Sequence, residues 1–241
     1  MRSPRVLLRR LAGFGLGLAS CTDPLGSDEA DADLIDPVEG ICPANTPERR
    51  DPFADCVEHF EPAEGVSFGH DAMPDIVLGP PQGGGQTMGG THVASLGCGG
   101  SITLHFSEPW PIDGPGPDFV VFENAFVAGA QTFIEPAQVL VSDDGVGWYA
   151  FDCDPTLDDP EGCAGLRPVV SATDLDLDTD TNTDLAAAGG DAFDLADVGL
   201  PEARYVRLVD RTAEHYGTQT WCQGNAGGFD LDALGARKAA P

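Results

Sequence analysis

From about Val66 onward, short apolar runs alternate with breaks rich in Gly, Pro and Asp. That rhythm predicts an all-β sandwich or barrel built from short strands. SITLHF (101–106) places Ile102, Leu104 and Phe106 on one face and Thr103 and His105 on the other, the period-two pattern of a strand with one face buried. DFVVFENAF (118–126) breaks that pattern. Phe119 to Phe122 are four consecutive apolar residues, as in a strand buried on both faces, and Glu123 and Asn124 follow at once. AQVLVSDDGVGWYAF (137–151) reads as two strands around a turn, with Asp143, Asp144 and Gly145 supplying the turn chemistry. ARYVRLVD (203–210) and GFDLDAL (228–234) read as late strands. The only helical hint is a turn over Phe193–Val198. No internal repeat occurs.

The pattern divides the chain into three parts. Residues 1–20 carry Arg2, Arg5, Arg9 and Arg10 ahead of a short apolar stretch, Leu11 to Ala19. The stretch is too short to span a bilayer and reads as an export signal. Residues 21–65 are rich in Asp, Glu and Pro with few apolar residues, as in a tether. Residues 66–236 form the expected sandwich, in which 31 Gly and 20 Pro across the whole chain argue against long helices. Short strands with long loops favour a jelly roll over an up-and-down barrel.

The signal ends in LASC, Leu18 to Cys21, which resembles the bacterial lipoprotein signal. That resemblance implies cleavage before Cys21 and acylation of its sulfur. The expectation is an exported protein held in the bacterial envelope, at the outer membrane or cell surface, touching membrane only through its N-terminal lipid. The chain has seven cysteines, and lipidation of Cys21 leaves an even number. Cys42, Cys56, Cys98, Cys153, Cys163 and Cys222 can pair as three disulfides in an oxidising compartment. Fifteen connectivities are open. Proximity favours Cys42–Cys56 and Cys153–Cys163, leaving Cys98–Cys222. No CxxC or paired-His spacing supports zinc.

Forty acidic residues face 12 basic ones, a net charge of −28. Such a surface repels nucleic acid and anionic lipid. It attracts divalent cations, although a solubility role alone would give the same composition.

Seven segments in order resemble a group of bacterial secreted and cell-surface proteins related to the discoidin, galactose-binding-like jelly rolls: DIVLGPPQGGG (75–85), SLGCGGSITLHF (95–106), DGPGPDFVVFENAF (113–126), QVLVSDDGVGW (138–148), GGDAFDLADVGL (189–200), ARYVRLVD (203–210) and GGFDLDAL (227–234). The resemblance implies a non-catalytic surface module, calcium-stabilised and glycan-binding as elsewhere in that wider fold.

Glu123 poses the sharpest chemical question. A carboxylate at the end of a core strand needs a cation or a hydrogen-bonded partner, and the sandwich offers only Arg167, Arg204, Arg207 and Arg211. Calcium accepts carboxylate, amide and carbonyl oxygens, so the expected cage is Glu123 and Asn124 with Asn182, Asp184, Asp191 and Asp194. The alternative is Glu123 paired to an arginine. An EF-hand across Asp178 to Gly189 is rejected, because Thr183 stands where Gly is required and Gly189 where Glu is.

Catalysis has less support. No histidine sits in a nucleophile motif, and GGGQTMGG (83–90) lacks the Lys-Ser/Thr ending of a phosphate loop. Glu123 and Glu135 are a pair open to a glycosidase reading, of a kind that almost any acidic protein offers. For sugar binding, the loop from Glu214 to Asp230 combines aromatic and amide side chains, with Tyr216, Gln219, Trp221, Gln223 and Asn225 as the candidate contacts. The reading overall is a non-catalytic, calcium-stabilised lipoprotein module for carbohydrate or a surface-protein ligand. A secreted hydrolase or its accessory domain, and a purely structural envelope protein, are the alternatives.

Overall fold

A computed structural model describes Cys42, residues 51–170 and residues 185–237. Two antiparallel sheets carry the fold. The larger contains β1 (Cys56–Glu61), β3 (Ser101–His105), β10 (Tyr205–Asp210), β7 (Ala137–Ser142) and β8 (Tyr149–Ala150), in that spatial order. The smaller has the order β2 (Ala94–Ser95), β11 (Asp230–Ala236), β4 (Phe119–Glu123), β9 (Asp191–Phe193). A hairpin of β5 (Phe126–Ala128) and β6 (Gln131–Phe133) stands apart from both.

The two sheets share one core. Ile102, Leu104, Val139, Val141, Val206 and Leu208 from the larger sheet pack in one cluster with Phe119, Val121, Leu231 and Leu234 from the smaller. Period two therefore sets the register. In β10 the half-buried Tyr205, Arg207 and Val209 alternate with the buried Val206, Leu208 and Asp210, and Leu208 lies opposite Ile102 on one side and Val139 on the other.

β4 is buried along its whole length. Its Phe119 and Val121 face the shared core, where Phe119 stacks on Phe193 and meets Phe151 edge-on. Val120 and Phe122 point the other way, into a second cluster with Phe53, Val169, Leu185 and Ala188. A covering layer of loop residues thus explains the apolar run: the smaller sheet has no solvent face at its centre. Burying each such large side chain stabilises by about 1.5–3 kcal/mol.

The sheet begins earlier than composition suggested. β1 lies in the stretch expected as tether, yet Val57 and Phe60 are core residues and the strand pairs with β3 along its length. The register slips between Val57 and His59, so two adjacent core positions are three apart and the period-two signal is lost. One short α-helix, α1 (Thr212–Tyr216), follows β10. The three disulfides are Cys42–Cys56, Cys98–Cys222 and Cys153–Cys163. No helix among the described residues is long and apolar enough to cross a membrane. Cys21, Asn182 and Asp184 lie outside the described residues.

Candidate functional site

Antiparallel pairing brings four acidic residues to one end of the sandwich. Glu123 closes β4, Asp230 opens β11, Asp210 closes β10, and Glu135 stands two residues before β7. β10 and β7 pair with Asp210 opposite Ala137, and β11 and β4 pair with Leu231 opposite Glu123. All four side chains are removed from water: relative exposure is 2% for Glu123 and Asp210 and 6% for Glu135 and Asp230.

Three of them are held by donors. Asp210 accepts from the amides of Gly99, Thr212 and Phe229 and from the Thr212 hydroxyl. Asp230 accepts from Ser95 Oγ at one oxygen and from Asn124 Nδ2 at the other. Glu135 Oε1 accepts from the Gly228 amide at 3.0 Å. Only glycine fits there: φ is +78°, and a Cβ would stand 2.7 Å from Gly97 C and 2.9 Å from Asp210 Oδ2. Glu123 is different. Its Oε1 lies 3.4 Å from the Asp230 amide, the Asn124 amide also favours its ionised form, and its buried Oε2 has no hydrogen-bond partner by distance and angle.

No Lys, Arg or His forms an ion pair with any of the four among the described residues. Burial, reinforced by mutual repulsion, therefore drives their protonation equilibria upward. Glu123 is pushed well above the ordinary carboxylate range by burial, then by the charges of Glu135 and Asp230. Glu135 rises to about 9 through burial, then Asp230 and Asp210. Asp230 rises to about 6, chiefly through burial. Burial therefore favours the protonated forms of Glu123 and Glu135 at neutral pH.

Aromatic side chains border these acids. Phe133 on β6 packs with Phe126, Tyr216 and Trp221 at centroid distances of 5.2, 6.3 and 5.1 Å. Tyr216 donates its hydroxyl to the carbonyl of Ile134, beside Glu135. Burial raises the phenol's pKa, and the charges of Glu135 and Glu123 add to that rise. Trp221 is exposed, at 44%, and the Cys98–Cys222 bridge holds its loop.

The sequence-nominated residues scatter around this centre. Glu123 and Asn124 belong to it. Asp191 does not: it lies opposite Val121 on β9, and its Oδ2 accepts from the amides of Gly165 and Leu166, with Arg167 3.8 Å from Oδ1. It lines a cavity of about 590 Å³ together with Asp152, Asp159, Glu161 and Asp197. Asp194 lies farther still, where it brings an oxygen within 4.8 Å of those of Asp113 and Asp118. Asp118 precedes β4 and Glu123 ends it, so about 17 Å of strand separates the two ends. One ion cannot bridge them. Arg204 and Arg207, the alternative partners for Glu123, instead lie over the rings of Trp110 and Trp148.

Tyr216 and Trp221 do come together, and Gln219 and Gln223 are exposed beside them. Asn225 is exposed too, but its backbone carbonyl accepts from Ser67 and Phe68 and so serves the loop. Sequence reading did not pick Asp210 and Asp230 for the centre, nor Phe126 and Phe133. The signal available was that each acid sits at one end of an apolar strand, as Glu123 does. No family model and no curated protein matches the chain.

Proposed function

We propose that this chain is a non-catalytic, lipid-anchored surface module with a galactose-binding-like jelly roll. Its acid-lined end takes calcium, and the Tyr216–Trp221 aromatic edge meets carbohydrate. The observation that carries the reading is the orphaned, buried Oε2 of Glu123 among three further carboxylates without a base. Calcium supplies the missing charge and accepts oxygen ligands at about 2.3–2.6 Å. No three of the four carboxylates bring single oxygens within 4.8 Å of one another among the described residues, so holding calcium would require them to close on it with further oxygen ligands. Glu123 and Glu135 are too enclosed to touch a glycosidic bond, which favours binding over hydrolysis.

Calcium bound only by the folded state stabilises it by mass action, about 2.7 kcal/mol at a hundredfold excess over its dissociation constant. Chelation should lower the melting temperature, and Glu123→Gln should abolish the calcium response. Sodium at matched ionic strength must fail to substitute, since screening alone relieves a surface this acidic. An unchanged melting curve on chelation refutes the metal. For the anchor, Cys21→Ser should move the protein from the membrane to the soluble fraction; a wild-type protein already soluble and unmodified refutes it.

A further inference from the structure

A second polar depression lies on the outer face of the larger sheet. β10 turns Tyr205 and Arg207 outward between core residues, and Thr103 of β3 stands opposite Arg207. Glu58 and His59 of β1 and Asp144, Gly145 and Trp148 of the β7–β8 connection complete a groove of about 280 Å³.

Arg207 is held there without a counter-charge. Its guanidinium lies 4.0 Å over the Trp148 ring, and its Nε donates to Thr103 Oγ1 at 3.0 Å. Among the described residues no carboxylate is within ion-pair distance, and no hydrogen bond from its two terminal nitrogens is found. Partial burial also lowers its pKa. A half-desolvated, unpaired guanidinium is unexpected in a chain with 40 acidic residues. The fork is therefore held on one side by Trp148 and Thr103, with its terminal donors unpaired among the described residues.

Acceptors flank it. Asp144 spends Oδ1 on the amides of Val146 and Gly147 and on Ser142 Oγ, which leaves Oδ2 available. Glu58 also lines the groove. Tyr205 is braced against His105, with centroids 4.6 Å apart. Fixed donors beside fixed acceptors, with aromatic walls, suit groups that both donate and accept, and hydroxyls do both. The two carboxylates disfavour an anion, and Arg207 disfavours a cation. The groove is also smaller than the roughly 300–1,000 Å³ of drug-sized sites, so it holds one ring.

We propose that this groove is a second ligand site for one neutral hexose unit of a glycan: Arg207 donates to its hydroxyls, and Glu58 and Asp144 accept from them. It extends the carbohydrate reading to a different face of the fold and needs neither the calcium nor the Trp221 edge.

The test is an NMR titration of the whole exported chain with methyl β-D-galactopyranoside, methyl β-D-glucopyranoside, methyl α-D-mannopyranoside and sodium D-glucuronate. Each is taken to about 50 mM, enough to saturate a site with a dissociation constant of about 1 mM. The indole N–H signals of Trp110, Trp148 and Trp221 report location. At least one neutral glycoside should shift Trp148 saturably. Arg207→Gln and Arg207→Lys should each weaken that shift at least tenfold with an unaltered melting temperature, the lysine variant because it keeps the charge but loses the fork. Shifts confined to Trp221 would support the loop-end reading and overturn the groove. No saturable Trp148 shift, or tighter binding of glucuronate than of every neutral sugar, would overturn it as well.

Discussion

Asn124 Nδ2 donates to Asp230 Oδ2 at 3.3 Å, tying the end of β4 to the start of β11 beside the orphaned glutamate. Asn124 Oδ1 also accepts from the Gly90 amide, so a single side chain joins three segments far apart in sequence. Asn124→Ala leaves a backbone donor and a buried carboxylate short of partners, an expected loss of about 1–3 kcal/mol in urea denaturation. Asn124→Asp should cost more in chelator, because it adds a charge beside Asp230. Added calcium should narrow the gap between the two variants.

Stability in the absence of divalent cations should fall as pH rises. Glu135 sits at about 9 in the folded chain, Asp232 at about 7, and Asp230 and Asp191 at about 6. These values exceed those of the unfolded chain, so between about pH 4 and pH 9 the folded state binds more protons. The stabilisation is complete below the unfolded values and is lost as pH climbs through the folded ones. Melting temperatures in chelator should decline from pH 5 to pH 9, and Glu135→Gln should flatten the upper part of that decline. A flat or rising profile contradicts the assignment.

Phe119→Ala should be severe. The side chain is fully buried against Phe193 and Phe151, and emptying such a site costs about 3–5 kcal/mol. Phe126→Ala, in the half-buried hairpin outside both sheets, should cost markedly less. Equal losses in guanidinium titrations would mean the hairpin belongs to the core.

The Cys98–Cys222 bridge spans 124 residues and holds the loop carrying Trp221. The double replacement Cys98→Ala/Cys222→Ala should cost about 2–5 kcal/mol and red-shift the tryptophan emission as that loop loosens. Retained stability and emission would show that packing alone places Trp221.

The strands that sequence reading found are those whose side chains keep strict time. β3 and β10 alternate, and Phe119 to Phe122 announced burial on both faces without revealing that Phe53, Val169 and Leu185 form the cover. β1 escaped because a bulge disturbs its period and because acidic residues surround it in sequence. At the acid-lined end, Glu123 was legible as an anomaly: a charge immediately after four core residues. Asp210 and Asp230 beside it were not. Asp230 is 107 residues away, and only the antiparallel pairing of β4 with β11 makes the two adjacent. The same limit led Asp191 and Asp194 to be grouped with Glu123: nearness to other acids in sequence says nothing about which end of a strand a residue occupies.

The Cys42–Cys56 bridge also determines how the fold bears a mechanical load. It closes a loop with a sequence separation of 14 immediately before β1. A pull on the chain upstream of Cys42 therefore crosses the sulfur bridge and enters the sandwich at Cys56. The intervening backbone is bypassed. That includes the stretch where Phe53 bridges to Gly235 and the Ala54 amide donates to the Leu234 carbonyl. The contacts that lay Phe53 over the smaller sheet stay slack while the edge strand of the larger sheet carries the tension. Reduction of this one bond would transfer the force to the covering layer, so the chain under tension would resist extension in its oxidised form and peel from Phe53 inward once reduced.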